Sequence, residues 1–259
     1  GGTLNGIIGS DDVSISSGTG SFSNKTVGTA KSVTATGYGI TGTNAVNYSL
    51  SAQPSGMTAD ITKASVTITG VTASNKVYDG TTTATLTGGT LNGIIGSDDV
   101  AITTGTGSFA DKTEGSAKAV TATGYGITGS DAGNYNLSAE PLGMTADISK
   151  ATLTITGVTA SNKVYDGSST ATLSGGTLNG VIGSDDVTIS AGTGAFIDEK
   201  LESGKTVIAT GYGITGTDAG NYTLTGQPSG MIADITGKPL TITGVTAANK
   251  VYDGTTDAI

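Results

Sequence analysis

Aspartates stand in adjacent pairs at three places, Asp11–Asp12, Asp98–Asp99 and Asp185–Asp186. Carboxylates gathered in this way suit a hard cation, and Ca²⁺ takes about six to eight oxygens from carboxylates and carbonyls. Asp98, Asp99, Asp185 and Asp186 are therefore the candidate Ca²⁺ ligands, and Asp79, Asp131 and Asp147 would have to converge on them. The spacing matches neither an EF-hand loop nor a calcium-binding nonapeptide repeat. The plainer reading of each pair is a solvated turn. A Tyr–Asp pair at Tyr78–Asp79 returns at Tyr165–Asp166 and Tyr252–Asp253. On a surface it could contact a sugar or a protein. Structurally, the tyrosine would plug a core edge and the aspartate would close a turn ahead of Gly80. Lys76 lies beside Asn75, and Lys31, Lys118 and Lys205 form a second recurring set. A Lys–Asn amide cross-link would need a desolvated, neutral amine with an acid nearby. Solvated lysines are the ordinary alternative.

Other chemistry finds little support. GYGITG at 37–42 is glycine-rich, but no helix follows to offer phosphate-binding amides. The chain has no His, Cys or Arg. Paired carboxylates can hydrolyse glycosides, yet an active site copied three times in small modules would be a strange enzyme. We expect no catalytic residue and no cofactor beyond that Ca²⁺.

The elements carrying these residues repeat with a fixed step of 87. NKVYDG stands at Asn75–Gly80, Asn162–Gly167 and Asn249–Gly254, and GGTLNGIIGSDDV begins at Gly1 and at Gly88, returning from Gly175 with one substitution. A constant period without insertions marks a tandem array. It divides the chain into a partial repeat over 1–63 that lacks its leading strands, complete repeats over 64–150 and 151–237, and the leading strands of a further repeat over 238–259. Within a repeat, apolar residues alternate with threonine, as in Val66, Ile68 and Val71 with Thr67 and Thr69 between. Period-two alternation of β-branched residues argues half-buried strands. No window carries a helical period, and SDAGNY (130–135) has room for one helical turn at most. Seven to nine short strands per repeat, with turn signals every ~8–12 residues, fit a small sandwich. The expected fold is all-β: a tandem array of small Ig-like β-sandwich modules, each with its own core, forming an elongated rod. A β-solenoid is the structural rival, but no even step of ~20–30 residues occurs inside the repeat.

Net charge is −9, which excludes a phosphate-neutralising groove and attraction to anionic membranes. Without Cys there is no disulfide scaffold. No apolar run reaches the ~20 residues of a membrane span. A Cys-free, acidic chain rich in Thr, Gly and Asn suits a bacterial exported protein. No signal peptide is visible, but the chain starts in mid-repeat, as a piece of a longer array would.

Taken together, KVYDGTT, the GSDDV turn, the K-x-V-x-x-x-G-Y-x-I-x-G strand and DAGNY-x-L resemble the YDG-type tandem repeats of large bacterial surface and secreted proteins. Such repeats often accompany haemagglutinin-like or autotransporter-type export modules. The resemblance covers essentially the whole chain. It implies an extended array on a cell-surface or released adhesin and supplies no receptor.

The expected function is a structural stalk, spacer or fibre-forming region supporting adhesion, biofilm or matrix formation, located extracellularly. The alternative is a repeated low-affinity glycan- or protein-binding module acting through avidity. The expected partners are neighbouring repeats, or copies of the chain itself by strand addition from residues 238–259 to an open edge. A host or matrix glycan or protein is a further partner class, and nucleic acid and membrane insertion are not expected.

Overall fold

The computed structural model describes residues 2–258. The chain is all-β, with multiple small sheets; among the described residues the helical content is three single 3₁₀ turns at Ala45–Asn47, Ala132–Asn134 and Ala219–Asn221. These turns occupy the one stretch per repeat where the sequence leaves room for a helical turn. Among the described residues no helix is long and apolar enough to cross a membrane.

Two compact units are present. One comprises Gly1–Ser74, Thr82–Ala110 and Ala117–Ala146; the other comprises Asn75–Thr81, Asp111–Ser116 and Asp147–Ile259. Neither follows the 87-residue period. The second unit takes in the NKVYDG segment and one loop of the middle sequence repeat.

In the second unit, residues 151–237 form ten strand segments, against an expected seven to nine. Two of them, Lys163–Val164 and Thr170–Ala171, are only two residues long. A five-stranded sheet runs Lys163–Val164, Met231–Thr236, Glu202–Thr210, Thr193–Phe196, Thr170–Ala171. A three-stranded sheet has Ala151–Ala160 at its centre, antiparallel to Leu173–Asn179 and parallel to Tyr222–Leu224. Thr188–Ser190 and Gly213–Thr215 make a separate pair.

The alternation in sequence becomes an alternation of faces. Leu153 and Ile155 point inward, while Thr152, Thr154 and Thr156 are exposed. Ile155 from the smaller sheet joins Phe196, Val207, Met231, Ala233 and Ile235 from the larger in a single core. Between Glu202 and Lys205 the ladder shifts register. Gly204 takes a positive φ at this bulge, and its N–H donates to Asp234 at 2.7 Å. The bulge turns Lys205 inward, where its Nζ meets the Asp198 carboxylate and the Lys200 carbonyl.

In the first unit, Ala64–Ala73 holds the same central place, antiparallel to Leu86–Asn92 and parallel to Tyr135–Leu137. Val66 and Ile68 are buried there. Residues 2–63 form a smaller set of strands: Thr19–Phe22, Gly28–Thr36 and Met57–Ile61 in one sheet, and Ser14–Ser16 with Gly39–Thr41. Among the described residues neither outer strand of that three-stranded sheet pairs with a further strand.

Residues 238–258, where the sequence suggests leading strands, form none. Leu240, Ile242, Val251 and Tyr252 are exposed. The strands they resemble pair with elements lying downstream in their own repeat, as Ala151–Ala160 does. Without such partners an isolated strand does not bury its apolar face.

Candidate functional site

The aspartate of YDG builds a turn. Asp79 Oδ1 accepts the Thr81 N–H at 2.9 Å and the Thr81 hydroxyl at 2.8 Å, and Lys76 Nζ donates to the same oxygen at 2.7 Å. This is an Asx-type turn clamped by a lysine three residues upstream. Asp166, Ser168 and Lys163 repeat it, and so do Asp253, Thr255 and Lys250. Lys163 and the two Ser168 bonds hold the Asp166 carboxyl down at about 2. The last copy keeps its turn inside an exposed segment without strands, so the turn is a local property of the sequence.

The tyrosine leaves its own repeat. Lys76–Val77 pairs in parallel with Ile148–Ser149, and the Tyr78 N–H donates to the Ser149 carbonyl at 2.8 Å. From there Tyr78 enters a socket supplied by the next sequence repeat, and it is only 2% exposed. Its hydroxyl donates to Asp185 Oδ2 at 2.7 Å, and the Tyr222 hydroxyl donates to the same oxygen at 2.6 Å. Lys112 Nζ donates to Asp185 Oδ1 at 3.3 Å and lies 5.9 Å from the centre of the Tyr78 ring. The two tyrosine rings meet edge to face, 5.4 Å apart at 75°, the arrangement ring quadrupoles favour.

The frame around the socket is fixed by backbone. The Ile182 N–H donates to the Tyr222 hydroxyl at 3.0 Å, and the Asp185 N–H donates to the Ile182 carbonyl at 3.2 Å. The loop bearing Lys112 is held by the Glu114 N–H donating to Asn221 Oδ1 at 2.9 Å, and Asn221 is itself buried. Gly80 completes the fit. It adopts φ +77°, and a Cβ there would lie 3.1 Å from Ile182 Cγ2. Each letter of the motif therefore has its own structural role. The tyrosine is a plug, the aspartate shapes its turn, and the glycine admits both the left-handed backbone and the close approach.

Electrostatics agree with this geometry. The Tyr222 and Tyr78 hydroxyls, followed by Lys112, hold the Asp185 carboxyl below the usual range, against the opposing effect of burial. Burial first, and then the Asp185 charge, pushes the Tyr222 phenol up to about 12 and raises Tyr78 in the same direction.

Copies of the site differ only in how much of it is present. Asp98 receives the Tyr135 hydroxyl at 2.8 Å and Lys25 at 3.0 Å, with no tyrosine from an earlier repeat. Asp11 receives the Tyr48 hydroxyl at 2.7 Å. Conversely, Tyr165 and Tyr252 stand in the same YDG context as Tyr78 yet are 38% and 93% exposed.

The four candidate Ca²⁺ ligands are committed to protein donors. Asp98 and Asp185 face tyrosine and lysine. Asp99 Oδ2 accepts from the Ser130 N–H and hydroxyl, and Asp186 Oδ2 accepts from the Thr217 N–H and hydroxyl. The Asp131 carboxylate accepts from the Asp99 N–H, that of Asp79 from its own turn and that of Asp147 from the Asn75 amide. Among the described residues no group of three or more acidic side chains is gathered so as to hold a metal ion.

Asn75 and Lys76 do not face each other either. Asn75 bonds to Asp147 and Lys76 to Asp79, as adjacent residues of an extended segment should, pointing to opposite sides. The sequence reading of Tyr78 as a core-edge plug does not reveal the pairing with Asp185, because it sets the plug in its own repeat and reads Asp185 as part of a solvated turn.

A family model described as YDG domain matches residues 1–56, 62–142 and 149–229. No curated protein and no solved structure matches the chain significantly.

Proposed function

The chain belongs to the YDG domain family, in three tandem copies, and from that premise we propose that it is a structural spacer of a bacterial surface or secreted adhesin. The observation that carries this reading is the socket at Asp185. There a tyrosine and a lysine from one sequence repeat grip a carboxylate and a tyrosine of the next. Covalent continuity alone would leave a hinge at each junction. A buried phenol, a charge-assisted hydrogen bond and a parallel strand pair resist bending and pulling there. Modules of this kind, built as small Ig-like sandwiches and joined by such junctions, would make an elongated, semi-rigid rod whose stability is a sum of unit and neighbour terms.

An extracellular location follows from the same reading, and the acidic, Cys-free composition suits it. The role is reach: projecting a distal module, or forming a matrix fibre in adhesion and biofilm. The test is mechanical. Arrays of YDG repeats pulled in a single-molecule force instrument should give way in repeat-sized steps, and Asp185→Ala should lower the force at its junction. The second reading, a repeated glycan or protein binder, is tested on a glycan array with one, two and three repeats. Binding that climbs steeply with repeat number would replace the spacer reading.

A further inference from the structure

The five-stranded sheet of the second compact unit shows solvent an apolar face that its counterparts in the other repeats lack. Phe196, Val207 and Met231 point into the core, so the residues beside them on Thr193–Phe196, Glu202–Thr210 and Met231–Thr236 point out. Ala195 stands opposite Ile208, and Thr206 opposite Ile232. Ile208 is 54% and Ile232 63% exposed. Val164, paired with Thr236 on the neighbouring strand, is exposed too. Scattered exposed isoleucines are ordinary on a protein surface. These two share one sheet face on adjacent strands, and they belong to one repeat alone. At the same places in the period the middle repeat has Ser108, Thr121 and Thr145, and the first has Ser21, Thr34 and Thr58. The fold does not need isoleucine there, since Thr121 occupies the same strand position with Val120 buried beside it.

Charge does not defend the face. Among the described residues, the outward positions of these three strands beyond the bulge at Gly204 carry one charged side chain, Asp234. It is already committed to its own sheet: Oδ1 accepts from the Ser203 hydroxyl at 2.9 Å and from the Gly204 N–H, and Oδ2 from the Asn162 amide at 3.2 Å. Two chains can therefore meet there without opposing free carboxylates, although each carries a net charge of −9.

We propose that this face is a self-association surface, on which the Ile208–Ile232 face of one copy of the chain packs against the same face of a second copy, sheet on sheet about a twofold axis. At ~4.8 Å between strands and ~3.3 Å per residue the face spans roughly 400 Å², so a pair covers about half of a standard interface. That size corresponds to a weak, concentration-dependent dimer, formed at roughly 0.1–1 mM. The inference rests on the exposed face and not on the spacer reading, which would stand without it.

Sedimentation velocity of the whole chain, in a concentration series up to about 1 mM, tests the proposal. The wild type should pass from monomer to dimer and stop there. The paired variant Ile208→Thr/Ile232→Thr installs the residues of the other two repeats and should keep the circular dichroism spectrum. It should weaken dimerisation at least about a hundredfold and sediment as a monomer throughout, because each isoleucine is lost from both sides of the contact. In the wild type the Ile208 and Ile232 methyl resonances should shift with concentration, while that of the buried Ile155 stays fixed. A wild type that remains monomeric over the whole series, a dimer that survives both threonines, or association that runs on past the dimer would overturn the proposal.

Discussion

Replacing Asp185 with alanine is the sharpest perturbation the socket offers, because copies of the same residue provide graded controls. The Asp185 side chain is 8% exposed and accepts from Tyr78, Tyr222 and Lys112. Without it the Tyr78 hydroxyl keeps only the neighbouring Lys112 ammonium. The Tyr222 hydroxyl keeps only the Ile182 N–H as a donor to it. A hydrogen bond to a charged group contributes ~1.5–3 kcal/mol, and breaking a buried ionic group from one side costs ~3–5 kcal/mol. Lys112 is half-exposed, and solvent screening leaves its ion pair a minor part of the sum. Asp185→Ala should therefore cost roughly 4 kcal/mol.

Asp98 has one tyrosine and a largely exposed lysine, so Asp98→Ala should cost clearly less than Asp185→Ala. Asp11 has only the half-buried Tyr48, and Asp11→Ala should cost least of the three. Urea unfolding followed by circular dichroism ranks them. A double-mutant cycle then isolates the bond. Tyr78→Phe alone removes a made hydrogen bond and destabilises. In the Asp185→Ala background it removes a hydroxyl that has already lost its carboxylate and should cost clearly less, a non-additivity of ~1–2 kcal/mol. Equal costs at residues 11, 98 and 185, or strict additivity of Tyr78→Phe with Asp185→Ala, would refute the reasoning.

The tyrosines predict alkaline behaviour. Burial and Asp185 raise the Tyr222 phenol from 10.0 to about 12, so the folded state holds this proton more tightly than the unfolded chain. The corresponding stability is fully present below pH 10 and is lost as the pH climbs toward about 12. Tyrosinate absorbance should show a late component that appears together with unfolding and is reduced in Tyr222→Phe; nine tyrosines ionising together near pH 10 in an intact fold would contradict it. The glycine of the motif supplies a paired comparison. Gly80→Ala and Gly167→Ala both force alanine into a left-handed backbone at ~1–2 kcal/mol, but only at Gly80 would the methyl press on Ile182, since nothing lies within 4 Å at Gly167. Urea midpoints should fall further for Gly80→Ala, and matching shifts would argue against the close approach.

What the sequence yields and what it withholds divide along the range of the interactions. The strand assignments rest on neighbours two residues apart, and Val66, Ile68, Leu153 and Ile155 are buried as their alternation with threonine implies. The Asx turn is local too, and it forms even at Asp253. Side-chain partners are non-local, and Asp99, Asp185 and Asp186 meet hydroxyls and amides some thirty to a hundred residues away. One local signal was available and points against a cross-link between Asn75 and Lys76: adjacent residues in an extended segment project to opposite faces. Another is Gly204, which replaces Ala30 and Ala117 at a position where all three residues take a positive φ and so marks the bulge.

Tyr78, Tyr165 and Tyr252 have the same immediate neighbours, yet their exposure runs from 2% through 38% to 93%. Nothing local separates them; what differs is the cover each receives, which for Tyr78 comes from the SDD turn and NY strand of the next repeat. The energetic unit is therefore the repeat together with the YDG turn that precedes it, and this is why Asn75–Thr81 and Asp111–Ser116 join the compact unit of residues 147–259. A period read from sequence gives the length of that unit without fixing where it begins. Cutting such an array at NKVYDG would sever a plug from its socket. Cutting ahead of it, between Ala73 and Asn75, would leave the turn with the module it serves, and two fragments made at these two places should differ in stability by about what Asp185→Ala costs.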